Sequence, residues 1–183
     1  MVKKVKIGIV IDGVLRDTLK KVADSYMMDI GKKIENPPMT YDFEKHLKDI
    51  PENYLSIDEW IEDFNVEIFG CAQPVAKNIM QVFNTLQEDL KDRADIVLLS
   101  RETGRRKSAT LFFLSKVGLN CNSILFVDKE EPYPSYIDML VAANPVDFTG
   151  FEGRTFKLDT EYNKDVSSTD VIQDISELKE IIK

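Results

Sequence analysis

The sequence has few of the residues from which cysteine or histidine metal sites are built, and it has no long apolar run. It contains two cysteines, Cys71 and Cys121, and one histidine, His46, among 183 residues. No Cys-x-x-Cys spacing and no second histidine occur, which excludes a cysteine-based zinc site, a histidine metal cluster and a catalytic histidine pair. Two distant cysteines are typical of a reduced, cytoplasmic protein. The longest apolar stretches, such as 139–143, are far shorter than the roughly 20 residues that a membrane span needs.

Basic residues are also scarce relative to acidic ones. Lys and Arg total 24 against 32 Asp and Glu, which gives a net charge of −8 and a pI near 4.8. This balance argues against binding to duplex DNA or to an anionic membrane. A small basic cluster at 105–107 has no aromatic residues interleaved with it, so it is expected to be a solvated helix face and not a nucleic-acid site. The 43% apolar content is that of a folded globular domain.

Four short apolar runs, each followed by polar residues, predict the strands of a parallel sheet that is buried on both faces. They lie at 5–11, 95–99, 123–127 and 138–143. A fifth run, TFKL at 155–158, is expected to form an edge strand. Between the second and third runs, the pattern from 105 to Gly118 predicts an amphipathic helix with a glycine C-cap, and therefore a right-handed βαβ crossover.

The interval between the first two strands has helical patterns and almost no strand pattern. Helices are predicted at 17–30, at 56–69, where Ser56 and Glu59 have the spacing of a capping box, and at 74–90, which starts with Pro74. The residues therefore divide into a core, 1–16 and 93–183, and an inserted helical cap, 17–92. A closing helix is expected near 170–182.

Two expectations follow for side chains of the predicted cap. His46 is expected on its surface. Trp60, Phe64, Ile68 and Phe69 recur at helical spacing, which favours a hydrophobic core that belongs to the cap over a ligand site.

Four motifs in sequence order resemble those of the haloacid dehalogenase-like phosphatase superfamily. IGIVIDGVLRDT at 7–18 resembles its first motif, a strand that ends in Asp-x-Asp-Gly. DIVLLSRE at 95–102 resembles the second, Lys129 in LFVDKEEP the third, and YIDMLVAANP at 136–145 the fourth. The turn VIDGVL and the run DMLVAANP are most similar to the branch that contains small nucleotidases and polynucleotide phosphatases. The resemblance implies an α/β fold, a Rossmann-like parallel sheet with a small helical cap inserted after the first strand.

The departures from these motifs fall on the residues that carry the chemistry. In the superfamily, the first Asp of Asp-x-Asp becomes a phosphoaspartate, and here Val10 takes its place. Valine cannot attack phosphorus. Ala142 and Ala143 replace the acids of the fourth motif, so that of the expected magnesium site only Asp12 remains. No catalytic residue, metal ion or other cofactor is therefore expected, and Mg²⁺ would be needed only if the protein were active.

The site positions that keep polar groups are Asp12, Ser100 and Lys129, the vestigial site implied by the resemblance. Together with Gly13 and Arg101 they could bind a phosphate-containing small ligand at the carboxyl ends of the strands. A purely structural interpretation remains open for each of them. Asp-Gly is a common turn former, and polar residues at strand ends are often surface residues.

Three functional hypotheses follow. The leading one is a catalytically inactive haloacid dehalogenase-like protein, retained as a structural, interaction or regulatory component with a protein partner, similar to the accessory proteins that phages and bacteria keep after their chemistry has decayed. The second is a nucleotidase-like phosphohydrolase with an altered mechanism, in which Asp12 assists water and acids such as Asp17, Asp128 or Asp147 hold the metal. The third is a phosphate-ligand sensor.

Overall fold

The computed structural model of the chain describes residues 4–34, 43, 47, 49–50, 52–164 and 170–182. Within these residues one sheet contains six strands: β1 (Val5–Val10), β2 (Ala94–Ser100), β3 (Ile124–Phe126), β4 (Met139–Ala142), β5 (Arg154–Leu158) and β6 (Asp170–Ile172). Their order is β3-β2-β1-β4-β5-β6, and each neighbouring pair is parallel. The predicted α/β class with a parallel sheet is confirmed. The carboxyl ends of the central strands therefore meet at one edge of the sheet.

The carboxyl-terminal part of the sheet differs from the prediction. The run 155–158 is not an edge strand, because β5 pairs with β4 on one side and with β6 on the other. The predicted closing helix is instead strand β6, a 3₁₀ turn at Ile175–Glu177 and a short helix, α5 (Leu178–Ile181). Three residues of strand are too few to show a periodicity, so the pairing with β5 decides the structure of this segment.

The other helices are α1 (Thr18–Ile30), α2 (Ile57–Asp63), α3 (Ile79–Leu90) and α4 (Arg105–Val117), with a π-helix at Val66–Gly70. Their ends follow the local sequence. The Asp17 side chain accepts a hydrogen bond from Lys20 N, Ser56 Oγ accepts one from Glu59 N, and Gly118 ends α4 with a left-handed φ of 75°. None of the helices in the described ranges has the length and apolar composition that crossing a bilayer requires.

Two predicted helices have different bounds in the structure. The segment 56–69 is divided, because α2 ends at Asp63 and the chain continues as the π-helix. The helix predicted from Pro74 begins at residue 79. Residues 74 and 75 instead pair with the turn after β1. Arg16 and Pro74 form an isolated β-bridge, and the Val75 N–H donates to the Leu15 carbonyl.

The helices pack in two large hydrophobic clusters. α3 packs on the sheet through buried residues such as Phe83 and Leu86. A second cluster joins α1, α2 and the π-helix, and it contains Trp60, Ile68 and Phe69, all almost fully buried, with Phe64 packed against it. These residues thus lie in a hydrophobic core as predicted, but the cluster also includes Ala109 of α4, and a core that belongs to the cap alone stays a prediction. The division at 17–92 stays a prediction, and the packing of α3 on the sheet favours an insertion that ends before this helix. His46 lies outside the described residues.

Candidate functional site

The carboxyl ends of β1 and β4 present apolar side chains to the protein interior. Val10, the last residue of β1, is 1% exposed and belongs to a hydrophobic cluster that includes Leu99 and Tyr133. Ala142, the last residue of β4, is fully buried in the same cluster. Neither of these side chains could attack phosphorus or bind a cation.

The Asp12 carboxylate is held in a buried ion pair. Arg16 Nε donates to Asp12 Oδ1 at 2.8 Å, and Arg16 Nη2 lies 2.7 Å from the same oxygen. Thr18 Oγ1 also donates to Asp12 Oδ1 and accepts from Arg16 Nε at 3.1 Å. Asp12 is 4% exposed and Arg16 is 0% exposed, so the pair is largely shielded from solvent screening. The Oδ1 atom of this carboxylate is therefore occupied by groups of the protein itself.

The Arg16 guanidinium also connects the loop after β1 to distant parts of the chain. Its Nη1 donates to the Phe69 carbonyl in the π-helix and to Thr110 Oγ1 in α4, both at 2.9 Å. The guanidinium carbon lies 5.1 Å from the ring centroid of Phe69 and 5.5 Å from that of Phe113. A planar group with five fixed donors can satisfy several acceptors at once, and lysine could not. Arg16 thus connects the π-helix to α4.

Glu102, two residues beyond β2, is a second buried carboxyl near Asp12. It is 5% exposed, and its Oε2 has no hydrogen-bond partner in the structure. Burial and the Asp12 carboxylate raise the pKa of Glu102 to about 7, although the positive charges of Arg16, Arg106 and Lys129 oppose this rise. A carboxyl with this pKa exchanges its proton at neutral pH, which is a property of many general acids and bases.

A third buried carboxyl, Asp147, is engaged in a separate network. Tyr133 Oη donates to Asp147 Oδ1 at 2.7 Å, and Arg101 Nε lies 3.3 Å from the same oxygen. Arg101 also stacks over the Tyr133 ring at 4.1 Å and donates to the Asp128 carbonyl at 2.8 Å. Burial raises the pKa of Asp147, against the opposing effects of its two partners. This network fastens the loop after β3 to the end of β4.

The remaining predicted site residues have different surroundings. Ser100 is fully buried, and its Oγ accepts from Glu102 N at 3.2 Å. The Lys129 side chain is 52% exposed, and its Nζ lies 4.0 Å from an oxygen of Asp58 in α2. Gly13 adopts a positive φ of 81° in the turn after Asp12, as expected for a turn glycine. Their predicted role in ligand binding stays a prediction.

The residues present do not fit the magnesium site that the resemblance implies. Asp12 Oδ1 is already bound by Arg16 and Thr18, and alanines occupy the other two expected positions. Of the acids considered as substitutes, Asp17 caps α1, Asp128 is exposed and Asp147 binds Tyr133. In the part of the chain that the structure describes, no three His, Cys, Asp or Glu side chains are grouped so that they could hold a metal ion.

Two residues of this site, Arg16 and Glu102, were absent from the prediction. Glu102 carried a usable signal, because an acid shortly after a buried parallel strand lies at the edge where such sheets bind ligands. Arg16 carried none, since its acceptors Phe69 and Thr110 are 53 and 94 residues away in the sequence.

Comparisons with known proteins identify the fold. No protein-family model and no curated protein matches the sequence. Among solved structures, the chain is similar to L-2-haloacid dehalogenase from Xanthobacter autotrophicus with chloropropionic acid covalently bound, at a TM-score of 0.61 and 12% identity over 98% of both chains. It is also similar to a proposed phosphoglycolate phosphatase from Lactobacillus delbrueckii subsp. bulgaricus, at a TM-score of 0.62 and 12% identity over 100% of this chain and 99% of that chain.

A third similar structure is a proposed hydrolase of the haloacid dehalogenase type from Bacillus subtilis, determined bound to magnesium. The TM-score is 0.55 at 12% identity, over 98% of this chain and 99% of that chain. At this level of identity the comparisons show the haloacid dehalogenase-like fold, and they carry no information on activity, because one fold supports many functions.

Proposed function

We propose that this protein is a non-catalytic binding protein built on a haloacid dehalogenase-like fold. The observation that carries the proposal is the buried Arg16, which neutralises Asp12 and forms hydrogen bonds to three other elements. A side chain that hydrolyses phosphate esters must reach the substrate, and the Asp12 carboxylate is buried with its Oδ1 bound by Arg16 and Thr18. Val10 adds a second loss, because it has no nucleophilic atom.

The same contacts support a structural or interaction role for the fold. Arg16 joins the π-helix to α4. Arg106 of α4, expected on a solvated helix face, is instead buried, and it joins α2 by donating to Glu62 Oε2 at 2.8 Å and to the Asp58 carbonyl at 3.2 Å. Two buried arginines thus connect α2 and the π-helix to α4, which favours a fixed arrangement of these helices. A fixed surface favours recognition of a protein partner, because less conformational freedom is lost on binding.

One observation favours a second candidate, a phosphohydrolase of the nucleotidase type with an altered mechanism. Glu102 is a buried carboxyl beside Asp12 whose pKa is raised to about 7 by burial and by that carboxylate. Such a group could activate a water molecule at neutral pH without a covalent intermediate. The two candidates differ in one measurable property, turnover that depends on Asp12 and Glu102.

Turnover is expected to be absent when the purified protein is tested at high concentration with Mg²⁺ against nucleotides and generic phosphate esters. Loss of a nucleophile costs on the order of a millionfold in kcat even when binding groups remain. The measured rate should therefore equal that of Asp12→Asn and Glu102→Gln, which also reveals any contaminating phosphatase. A rate above background that both substitutions abolish would overturn the proposal and establish the hydrolase.

A further inference from the structure

Although the chain has a net charge of −8, one continuous segment of it contains only basic charges. No Asp or Glu occurs in the segment 103–127, whose charged residues are Arg105, Arg106, Lys107 and Lys116. Arg106 is buried and bound to α2, whereas the other three are exposed on α4. Within the described part of the chain, none of these three forms an ion pair. The exposed side of α4 therefore carries positive charge that the protein does not neutralise.

Apolar side chains lie between these charges. The helical periodicity places Lys107 at one margin of the exposed side of α4, and Arg105 with Lys116 at the other margin. Lys107 Nζ accordingly lies over the ring of Phe126 in β3, at 5.5 Å from the ring centroid. Leu111 and Phe112 lie between the two margins and are 47% and 51% exposed. Two half-exposed apolar side chains are thus bordered on both sides by bases.

The apolar area continues onto the π-helix. Val66 is 55% exposed. A Cβ atom at Gly70 would lie 3.0 Å from Phe112 Cδ1 and 3.6 Å from Val66 Cγ1, so these two side chains are neighbours over Gly70. An apolar area with a polar rim is typical of a surface that binds another molecule. The three apolar and three basic side chains together form the α4 surface: Val66, Leu111, Phe112, Arg105, Lys107 and Lys116.

The charges around the α4 surface restrict the kind of molecule that it can bind. Exposed acids lie on the two elements that adjoin α4, namely Glu59 and Asp63 on α2 and Glu67 on the π-helix. A nucleic-acid strand or an anionic membrane that extends beyond α4 would be repelled by these carboxylates. A second copy bound through its own α4 would bring positive charge against positive charge, because α4 contains no acid. A short acidic segment of another protein avoids both conflicts.

We infer that the α4 surface binds a short acidic segment of a partner protein, one that also carries large apolar side chains. Carboxylates of the segment pair with the three bases, and its apolar side chains contact Val66, Leu111 and Phe112. The bases extend from residue 105 to residue 116, about 16 Å along the helix axis. About 11 helical residues or about five extended residues span this length. This inference gives the proposed binding function a class of partner, and it does not depend on the loss of catalysis.

Selection on the immobilised full chain tests this class of partner, with a phage-displayed library of random peptides about 15 residues long, which is enough to span the surface. The enriched peptides are expected to contain more Asp and Glu than Lys and Arg, together with Leu, Ile, Phe or Trp. A synthetic peptide of the most enriched sequence should bind in fluorescence anisotropy with a Kd below about 100 µM. Its affinity should fall at least about threefold between about 0.05 M and about 0.5 M NaCl, because salt screens exposed charges.

Variants of the full chain locate the binding. The double variant Lys107→Glu, Lys116→Glu should bind the synthetic peptide at least about tenfold more weakly, and so should Phe112→Ser. The matched control is Lys33→Glu, Lys179→Glu, which has the same net charge and changes two exposed lysines of other segments. It should bind within about twofold of the wild type. All five positions are exposed, and urea unfolding confirms that each variant is folded.

Four results would overturn the inference. The selection enriches no peptide, the enriched peptides have no excess of acids, the folded variants of the α4 surface bind like the control, or another polyanion displaces the synthetic peptide. Oligo(dT) and vesicles of phosphatidylcholine with phosphatidylserine are the two polyanions tested, and displacement by either would assign the surface to nucleic acid or to a membrane. Because phosphatase turnover is measured separately, a failure here is distinguishable from a failure of the proposed loss of catalysis.

Discussion

Arg16→Met is expected to lower the free energy of unfolding by about 3 to 5 kcal/mol, the cost of breaking a buried ion pair by removing one partner. Methionine has a similar length but no charge and no donor. The substitution leaves the Asp12 carboxylate buried without its counter-ion, and it leaves the Phe69 carbonyl and Thr110 without the donor that Arg16 provides. Equilibrium unfolding in urea, followed by tryptophan fluorescence of the buried Trp60, measures the effect.

Two further variants separate the ion pair from the hydrogen bonds. Arg16→Lys keeps the charge but cannot supply the same set of donors, so it should lose less than Arg16→Met and more than a surface substitution. The double variant Asp12→Asn, Arg16→Met has no unpaired buried carboxylate. Its free energy of unfolding should therefore exceed the value that the sum of the two single effects predicts, by up to about 3 kcal/mol. The contrary result is a free energy of unfolding of Arg16→Met within about 1 kcal/mol of the wild-type value. That result would show that the ion pair is hydrated in solution, and the proposal that Arg16 holds the helical segment in place would be wrong.

The sequence was informative where local rules decide the structure. Continuous apolar runs predicted β1, β2 and β4 as buried parallel strands because both faces of this sheet are covered. The ends of α1, α2 and α4 were also predictable, since Asp17, Ser56 and Gly118 act through backbone atoms within four residues. That Val10, Ala142 and Ala143 stand where the superfamily motifs carry acids rests on the resemblance and stays a prediction.

Long-range packing decided what the sequence could not show. The pattern of α3 gives an amphipathic helix but not the surface against which it packs, which is the sheet. An arginine is almost never fully buried unless it is paired, and nothing local to Arg16 indicates acceptors in the π-helix and α4. The α4 surface is likewise formed by residues that are distant in the sequence, Val66 and Phe112 among them.

Glu102→Gln is expected to stabilise the protein at alkaline pH and to leave it nearly unchanged in acid. The pKa of this carboxyl is about 7 in the folded protein, against 4.5 as its ordinary value. Because the folded state holds the proton more tightly than the unfolded state, the contribution of Glu102 to stability falls as pH rises from about 4.5 to 7 and is constant above that range. Ionised Glu102 should therefore cost about 3 kcal/mol at pH 8.

Glutamine has nearly the same shape and does not ionise, so it removes this cost. The difference in unfolding free energy between Glu102→Gln and the wild type should grow by about 2 kcal/mol from pH 5.5 to pH 8, measured by urea unfolding at several pH values. Glu130→Gln removes one exposed carboxyl and serves as the matched control, with no such growth. A flat difference curve for Glu102→Gln would show that Glu102 is solvated or paired in solution, which would also remove the main support for the hydrolase alternative. A growing curve would show that the fold retains a destabilising carboxyl beside Asp12, and proteins keep such groups chiefly at sites that bind or react.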